Sequence, residues 1–111
     1  AEALVFAAAQ GADLLKTIEA VSGGAAGSWQ LANLGPRMAQ GDFAPGFMVK
    51  LQQKDLRLVL GAANDVKLAL PAVSMAHQFF NIVERAGCGE EGTQALIKAY
   101  EAQAGTEARA S

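Results

Sequence analysis

Apolar residues recur at three- and four-residue spacing along most of the chain, which predicts several helices separated by glycine and proline. The first predicted helix covers residues 2–10, and Gly11 is a suitable C-cap for it. A second helix begins after the N-cap candidate Asp13 and ends at the glycine-rich segment 22–27. Its apolar stripe consists of Leu14, Leu15, Ile18 and Val21.

A long central helix is predicted over residues 47–68. It follows a third helix, which Ser28 can cap and which begins at Trp29, and a loop at 41–46. Gly35-Pro36 predicts a kink or an early stop in that third helix. The central helix carries two apolar sets, Phe47, Leu51 and Leu58, and Leu56, Leu60 and Ala63. Such a broad apolar face predicts that most of the central helix is covered.

The remaining segments complete an all-α fold. Pro71 suits the first turn of a helix over 72–86, whose circumference is so apolar that we expect it to be buried. A last helix is expected over 93–104. Residues 105–111 are expected to form a frayed, disordered tail after a domain at 1–104. Strand signals and internal repeats are not found.

Two charged residues, Lys54 and Asp55, interrupt the apolar pattern of the central helix. Adjacent helix positions diverge by about 100°, so both cannot face water if the helix is mostly covered. Buried charges need partners. Two interpretations stay open: a solvated edge of an amphipathic helix, or a cation that meets an anionic or carbonyl-bearing ligand in a cleft. Of the five lysines, only Lys54 lies in a segment predicted to be covered.

Composition and charge exclude several classes of function. With 111 residues, 51% of them hydrophobic, the chain suits one packed helical domain. A net charge of −2 without a basic cluster argues against nucleic-acid binding, and no apolar run approaches the roughly 18 residues of a membrane span. One cysteine and one histidine argue against a metal site and indicate a reducing, cytoplasmic compartment. A start without Met, inside a predicted helix, suggests a fragment or a processed product.

Other candidate residues carry weaker signals. The glycines of segment 23–27 follow a predicted helix and not a strand, so they are interpreted as a helix–helix turn and not a nucleotide loop. His77 has no partner at a useful spacing and is interpreted as a surface or core residue. Cys88 is interpreted as a loop residue, because no positive neighbour in sequence lowers its pKa. Trp29 stays open between a packing anchor and the wall of a pocket.

The string G-F-x-x-x-L-x-x-K-D-L, from Gly46 to Leu56, resembles the β-hydroxyacid dehydrogenases. These are the 3-hydroxyisobutyrate dehydrogenases, the tartronate semialdehyde reductases and the related glyoxylate reductases. Other landmarks of that family occur in the family's order: E-A-L at 2–4, G-A-D at 11–13, S-G-G at 22–24, F-A-P-G-F at 43–47, L-A-L-P at 68–71 and A-G-C-G-E-E at 86–91. The F-A-P-G-F landmark is similar to the reductase branch.

The resemblance implies a helical bundle like the C-terminal domain of 6-phosphogluconate dehydrogenase. In complete members an N-terminal Rossmann domain binds NAD or NADP, and the helical domain dimerises and covers the active site. These enzymes interconvert a small β-hydroxy acid and its semialdehyde by hydride transfer. On the family's pattern, Lys54 would contact the cofactor near its nicotinamide, while Phe47, Asp55 and Trp29 would line the substrate pocket.

Departures from the family's pattern sharpen these expectations. The family's catalytic lysine lies upstream of E-A-L, so the resemblance implies no catalytic residue in this chain and no activity for it alone. Lys67 stands where the family usually has Gly, and Gly92 where it usually has Asp, which would weaken two helix caps by about 1 kcal/mol each.

A missing upstream helix would leave an apolar groove that favours self-association. Two rival hypotheses stay open. One is a non-catalytic helical dimerisation module in which Lys54 and Asp55 form a structural pair. The other is a free-standing helical binder of small ligands.

Overall fold

The computed structural model describes all 111 residues and confirms the all-α fold class. Its elements in chain order are α1 (Glu2–Ala9), α2 (Leu14–Ser22), α3 (Trp29–Gln40), α4 (Val49–Asp65), α5 (Pro71–Arg85), a 3-10 helix (Thr93–Leu96) and α6 (Ile97–Ala104). One isolated antiparallel bridge joins Met48 to Gly92. None of the helices combines the length and the apolar character that crossing a membrane requires.

Both predicted N-caps are confirmed. The Asp13 carboxylate accepts a hydrogen bond from the Lys16 N–H at 3.0 Å, and the Ser28 hydroxyl accepts one from the Leu31 N–H at 3.0 Å. Each cap satisfies a backbone donor that has no partner inside its helix. The first helix ends before Gly11, as predicted, and this glycine has the left-handed φ of +72° that favours its residue type.

The early stop predicted at Gly35-Pro36 is wrong, since α3 continues through Pro36 to Gln40. Gly35 is buried against α2, where a Cβ would lie 3.3 Å from Cδ1 of Ile18. This close contact between α2 and α3 holds the second half of α3 in place, although proline removes one helical hydrogen bond. The helix ends at Gly41, which again has a left-handed φ of +69°.

The larger hydrophobic core joins the two ends of the chain. Helices α1, α2, α3 and α6 and the last residues enclose it, and we call this part of the molecule the four-helix bundle. Its nine buried residues are Leu4, Val5, Ala7, Leu14, Ile18, Met38, Ala39, Ile97 and Ala108.

The predicted frayed tail at 105–111 is wrong, because the tail packs onto this bundle. Ala108 is fully buried, and its N–H donates to the Glu101 carboxylate at 3.0 Å. The Arg109 guanidinium lies 3.0 Å from the same carboxylate, and the Ala110 N–H donates to the Ala39 carbonyl at 2.7 Å. An alanine-rich sequence gave no sign of this packing, since its anchor is one small side chain together with polar contacts.

Helices α4 and α5 form an antiparallel pair, which we call the hairpin. The hairpin meets the 3-10 helix and α6 at a smaller core of Val49, Phe80, Val83, Ala95 and Ala99. The predicted burial of both helices is wrong, because their outer sides have no neighbour in this chain. The hairpin and its connection to α5 leave several large apolar side chains 40–73% exposed, namely Leu51, Leu58, Val59, Val66, Leu68, Met75 and Ile82.

Helix α4 is shorter than predicted at both ends. It starts at Val49 because the preceding residues are extended and pair with the loop before the 3-10 helix: the Val49 N–H donates to the Glu91 carbonyl at 2.8 Å. It ends at Asp65 because Lys67 has a left-handed φ of 57°. Likewise the last helix is divided, with a 3-10 turn over Thr93–Leu96 before α6.

Candidate functional site

One exposed side of α4 carries the two charged residues singled out in the sequence. Residues three, four and seven positions apart share a helix face, so Leu51, Lys54, Asp55 and Leu58 lie on one side. Phe47 precedes this side just before the helix begins. We call these five residues the Lys54 face. All are exposed: 43% for Phe47, 40% for Leu51 and 66% for Leu58, with 62% and 52% for the charged side chains.

The expectation that Lys54 is covered is wrong within this chain. Its ammonium lies 4.0 Å from the Asp55 carboxylate, and both side chains are more than half exposed. Exposed pairs of this kind contribute only about 0–1 kcal/mol to stability. The pair therefore contributes little to holding the fold together, which weakens the hypothesis of a structural Lys54–Asp55 pair.

A groove with a volume of about 280 Å³ lies between α3, α4, α5 and the 3-10 helix. Its lining is mostly apolar and consists of Ala1, Gln30, Leu34, Met38, Gln52, Leu56, Ala76, Phe80, Thr93 and Leu96. None of the predicted site residues lines the groove. They are, however, its neighbours in sequence: Gln30 follows Trp29, and Gln52 and Leu56 bracket the two charges of α4.

Trp29 lies at the first position of α3 and is 70% exposed. The interpretation of this indole as a packing anchor is therefore wrong. No ring contact joins it to the Lys54 face; the stacked pair of the molecule is Phe79 with Tyr100, 4.3 Å apart. The structure thus leaves Trp29 and the Lys54 face as two separate exposed features.

The loop that carries Phe47 is fixed by two residues that the sequence did not single out. Gln94 is almost fully buried, and its amide group donates to the carbonyls of Asp42 at 3.0 Å and Ala44 at 2.9 Å. Arg37 donates to the Ala44 carbonyl at 2.5 Å and to the Asp42 carboxylate at 2.9 Å. No sequence pattern distinguishes a buried glutamine from a surface one, so the sequence could not predict the role of Gln94. Likewise, nothing in the sequence indicates that Arg37 contacts this loop.

The contacts of Arg37 with this loop also shift the pKa values of Arg37 and Asp42. The hydrogen bond from Arg37, and a second from the Ala44 N–H, hold the pKa of Asp42 below its usual value. The same hydrogen bond raises the pKa of Arg37. Both groups are thus charged over the ordinary pH range, and the loop keeps its ionic contact.

Cys88 has a positive neighbour in space that it lacks in sequence. The Lys98 ammonium lies 3.7 Å from its sulfur and donates to the Glu91 carboxylate at 2.6 and 2.7 Å. Even so, a hydrogen bond with Glu91 and burial raise the pKa of Cys88, outweighing the attraction of Lys98. A thiol with a raised pKa is a poor nucleophile, which agrees with the interpretation of Cys88 as a loop residue.

The single histidine belongs to a contact between the hairpin helices. Gln53, fully buried on α4, accepts a hydrogen bond from Nδ1 of His77 at 2.9 Å. Its amide nitrogen donates to the Asn81 side chain at 2.8 Å and to the His77 carbonyl at 3.3 Å. These contacts join α4 to α5 and give His77 a structural setting. No three metal-ligating side chains come together anywhere in the structure.

Comparison with known proteins defines first the class of this chain. Residues 1–100 match the family model described as "NAD-binding of NADP-dependent 3-hydroxyisobutyrate dehydrogenase". The chain is therefore an NAD-binding helical domain of the oxidoreductase class, and the prediction of NAD or NADP as cofactor is confirmed at the level of the family.

Individual relatives agree with this class. The chain is 51% identical over 83 residues to an uncharacterized oxidoreductase of Synechocystis, covering 75% of this chain and 28% of that protein. It is 39% identical over 103 residues to the 2-hydroxy-3-oxopropionate reductase of Escherichia coli, covering 93% and 35%. The crystal structure of 3-hydroxyisobutyrate dehydrogenase from Salmonella typhimurium superposes with a TM-score of 0.84 at 34% identity, covering 87% of this chain and 34% of that one.

The chain belongs to the 3-hydroxyisobutyrate dehydrogenase family, as its sequence landmarks predicted. It spans about a third of the length of these relatives, between 28% and 35%.

Proposed function

We propose that this chain is the C-terminal helical domain of an NAD(P)-dependent oxidoreductase that interconverts a small β-hydroxy acid and its semialdehyde. The domain comprises residues 1–104 with the packed residues 105–111, and an N-terminal Rossmann domain binds most of the cofactor. The observation that carries this proposal is the Lys54 face: a cation and a carboxylate, 62% and 52% exposed, on a helix side that also carries the exposed apolar residues Leu51 and Leu58.

An exposed face that carries two leucines beside a lysine and an aspartate suits a surface that a second domain covers. Covering Leu51 and Leu58, which are 40% and 66% exposed, would gain only part of the roughly 1.5–3 kcal/mol of burying a whole side chain, but it still favours covering this side. Once covered, the Lys54 ammonium needs a closer anionic or polar partner than the Asp55 carboxylate 4.0 Å away, because poorly paired buried charge is costly. A pyridine nucleotide, with its phosphates and carboxamide, supplies such partners. We therefore assign Lys54 to cofactor binding near the nicotinamide.

The remaining predicted residues fall around the substrate. When bound, the nicotinamide cofactor supplies or accepts the hydride. Phe47 provides an apolar wall beside the reacting carbon, and Asp55 and Trp29 line the substrate pocket together with it. The general acid lies in another part of the polypeptide, so this chain positions and encloses the substrate and does not transfer the proton.

The outer side of the hairpin also bears on assembly. The hairpin and its connection expose further apolar residues, Val66, Leu68 and Met75, each at least 60% exposed. Patches of this kind are usually covered by a partner. We propose that the domain forms a homo-oligomer through this side, and that the enzyme works in the cytoplasm, which fits its single cysteine.

The decisive experiment replaces Lys54 with Ala in the full-length protein. Its dissociation constants for NADH and NADPH, measured by fluorescence titration, should rise about tenfold or more while the thermal midpoint stays unchanged. Lys16→Ala, an exposed lysine on α2, is the matched control and should bind like the unaltered protein. Unchanged cofactor affinity in Lys54→Ala would overturn the assignment, and loss of folding would favour the structural-pair rival.

Activity provides the second test. Full-length protein should reduce tartronate semialdehyde or oxidise 3-hydroxyisobutyrate with one of the two cofactors, whereas the 111-residue chain alone should show no turnover. Turnover by the isolated chain would contradict the proposed division of labour between domains. Cofactor binding without turnover of any β-hydroxy acid or semialdehyde would reject the proposed substrate class.

A further inference from the structure

The loop that carries Phe47 is held by a pair of residues that depend on one another, Gly92 and Gln94. Gln94 lies in the 3-10 helix with 1% of its surface exposed, and both of its amide contacts go to loop carbonyls, those of Asp42 and Ala44. The backbone adds two contacts to the same loop: the Gly92 N–H donates to the Phe43 carbonyl, and the Thr93 N–H donates to the Phe47 carbonyl, each at 2.9 Å.

Gly92 is required for space and not for its backbone conformation. Its φ of −67° and ψ of 158° suit any residue. A Cβ at this position, however, would collide with the Gln94 amide, lying 2.7 Å from Cδ and 2.8 Å from Nε2. Any side chain at 92 therefore forces the Gln94 amide to shift, which disturbs its contacts with the loop carbonyls.

We infer that Gln94 is a positioning residue for substrate binding, and that Gly92 permits this role by leaving room for the amide. Gln94 acts through the loop backbone: it fixes the Ala44 carbonyl, three residues before Phe47. Arg37 holds the same carbonyl at 2.5 Å, so loss of Gln94 loosens the loop without releasing it. This inference rests on the proposed function, in which Phe47 contacts the substrate.

The inference also explains a departure from the family's pattern. The aspartate expected at position 92 would cap the following helix through its side chain. Here the Cβ of such a residue has no room, and the buried amide of Gln94 is bonded to the loop instead. The 3-10 helix accordingly begins without a side-chain cap, and Gln94 holds the substrate-side loop.

The test uses the full-length protein and the variants Gln94→Ala, Gly92→Ala and the double variant. Displacing a positioning group costs about 10- to 100-fold in catalytic efficiency, so we expect kcat/KM for the β-hydroxy acid to fall by that factor in both single variants. The dissociation constant for NADPH should stay unchanged, because Lys54 is not on this loop. Amide hydrogen exchange over residues 43–48 should accelerate in the same two variants.

The double variant separates positioning from general damage. If Gly92→Ala acts through Gln94, the double variant should lose no more activity than Gln94→Ala alone. Gln103→Ala, an exposed glutamine on α6, is the matched control and should leave kcat/KM unchanged.

Three outcomes would overturn the inference: kcat/KM unaffected in Gln94→Ala, kcat/KM unaffected in Gly92→Ala, or losses that add in the double variant. If Gln94→Ala fails to fold, Gly92→Ala alone decides, since it keeps every amide atom. An unaltered protein without turnover would overturn the proposed function and this inference together, whereas an active protein with insensitive variants overturns only the inference.

Discussion

The four-helix bundle and the α4–α5 hairpin differ in how completely they bury their apolar side chains. The bundle encloses nine buried residues and even uses the last residues of the chain. The hairpin buries five residues together with α6 and the 3-10 helix, but leaves seven large apolar side chains in and beside it at least 40% exposed. The bundle leaves three such side chains at least 40% exposed, Phe6, Leu15 and Trp29, so it is the more nearly finished region of the two. The other has the composition of a core and the exposure of a surface, which is what half of an interface looks like.

The largest expected effect is the difference in the free energy of unfolding between a truncation in the bundle and one on the hairpin. Ile97, fully buried in the bundle, should cost about 2–5 kcal/mol in the free energy of unfolding when replaced by Ala. Leu58→Ala, on the exposed side of the hairpin, should cost no more than about 0.5 kcal/mol. Urea unfolding of the isolated chain measures both. Equal losses would mean that the hairpin is as finished as the bundle.

Within the hairpin, the buried hydrogen bonds of Gln53 should contribute measurably to the free energy of unfolding. Gln53→Ala removes the buried amide that joins α4 to His77 and Asn81, and should cost about 1–3 kcal/mol. The exposed Gln78 on α5, replaced by Ala, is the control and should leave the urea midpoint in place. If Gln53→Ala behaves like the control, the two helices are held together by apolar contact alone.

Replacing one residue in the turn of the hairpin should increase the stability of the protein. Lys67 has a left-handed φ of 57°, a conformation that costs a non-glycine residue about 1–2 kcal/mol. Lys67→Gly should therefore raise the free energy of unfolding by about 0.5–1 kcal/mol. Lys67→Ala should give no such gain, because alanine carries the same Cβ. A gain from alanine would locate the effect in the lysine charge and not in the backbone.

The smallest effect on the free energy of unfolding is expected at Glu91, at the junction between the two regions, and only at acidic pH. Burial by itself would raise the pKa of Glu91, but hydrogen bonds from Lys98 and Cys88 and the attraction of Lys98 outweigh it and leave the pKa below its usual 4.5. A folded pKa below the unfolded one means that the stabilisation is complete above the unfolded value and is lost as the pH falls through the folded value.

Glu91→Gln should accordingly flatten the fall of the urea midpoint as the pH falls below the usual pKa of 4.5. The matched variant Glu90→Gln, whose carboxylate is paired with Lys50 but 81% exposed, should keep the full slope. The reverse order of slopes would assign the acid sensitivity to the surface pair.

Local sequence signals predicted the elements of this fold but not what covers them. The capping side chains of Asp13 and Ser28, and proline at the start of α5, act within a few residues and were predicted correctly. The predicted burial of α4 was wrong because apolar spacing records that a face is meant to be covered, not which segment covers it. The packed tail was missed for the opposite reason, since Ala108 and Arg109 carry no apolar pattern.

The residues of the candidate site also differ in whether the sequence alone could single them out. Lys54 stood out because a charge in an apolar stripe is visible in the sequence, and its residue string carried the family resemblance. Gln94 and Gln53 did not stand out, because their importance lies in long-range partners at positions 42, 44, 77 and 81. Only the folded arrangement shows that these glutamines are buried and hydrogen-bonded to distant residues.

The most direct test of the hairpin as an incomplete interface is hydrogen–deuterium exchange, followed by mass spectrometry, on the isolated chain and on the full-length protein. We expect the hairpin, residues 49–85, to become strongly protected in the full-length protein, while α1 and α6 exchange at the same rate in both. Equal exchange of the hairpin in the two proteins would contradict the claim that this side of the domain is completed by another part of the polypeptide or by a second copy.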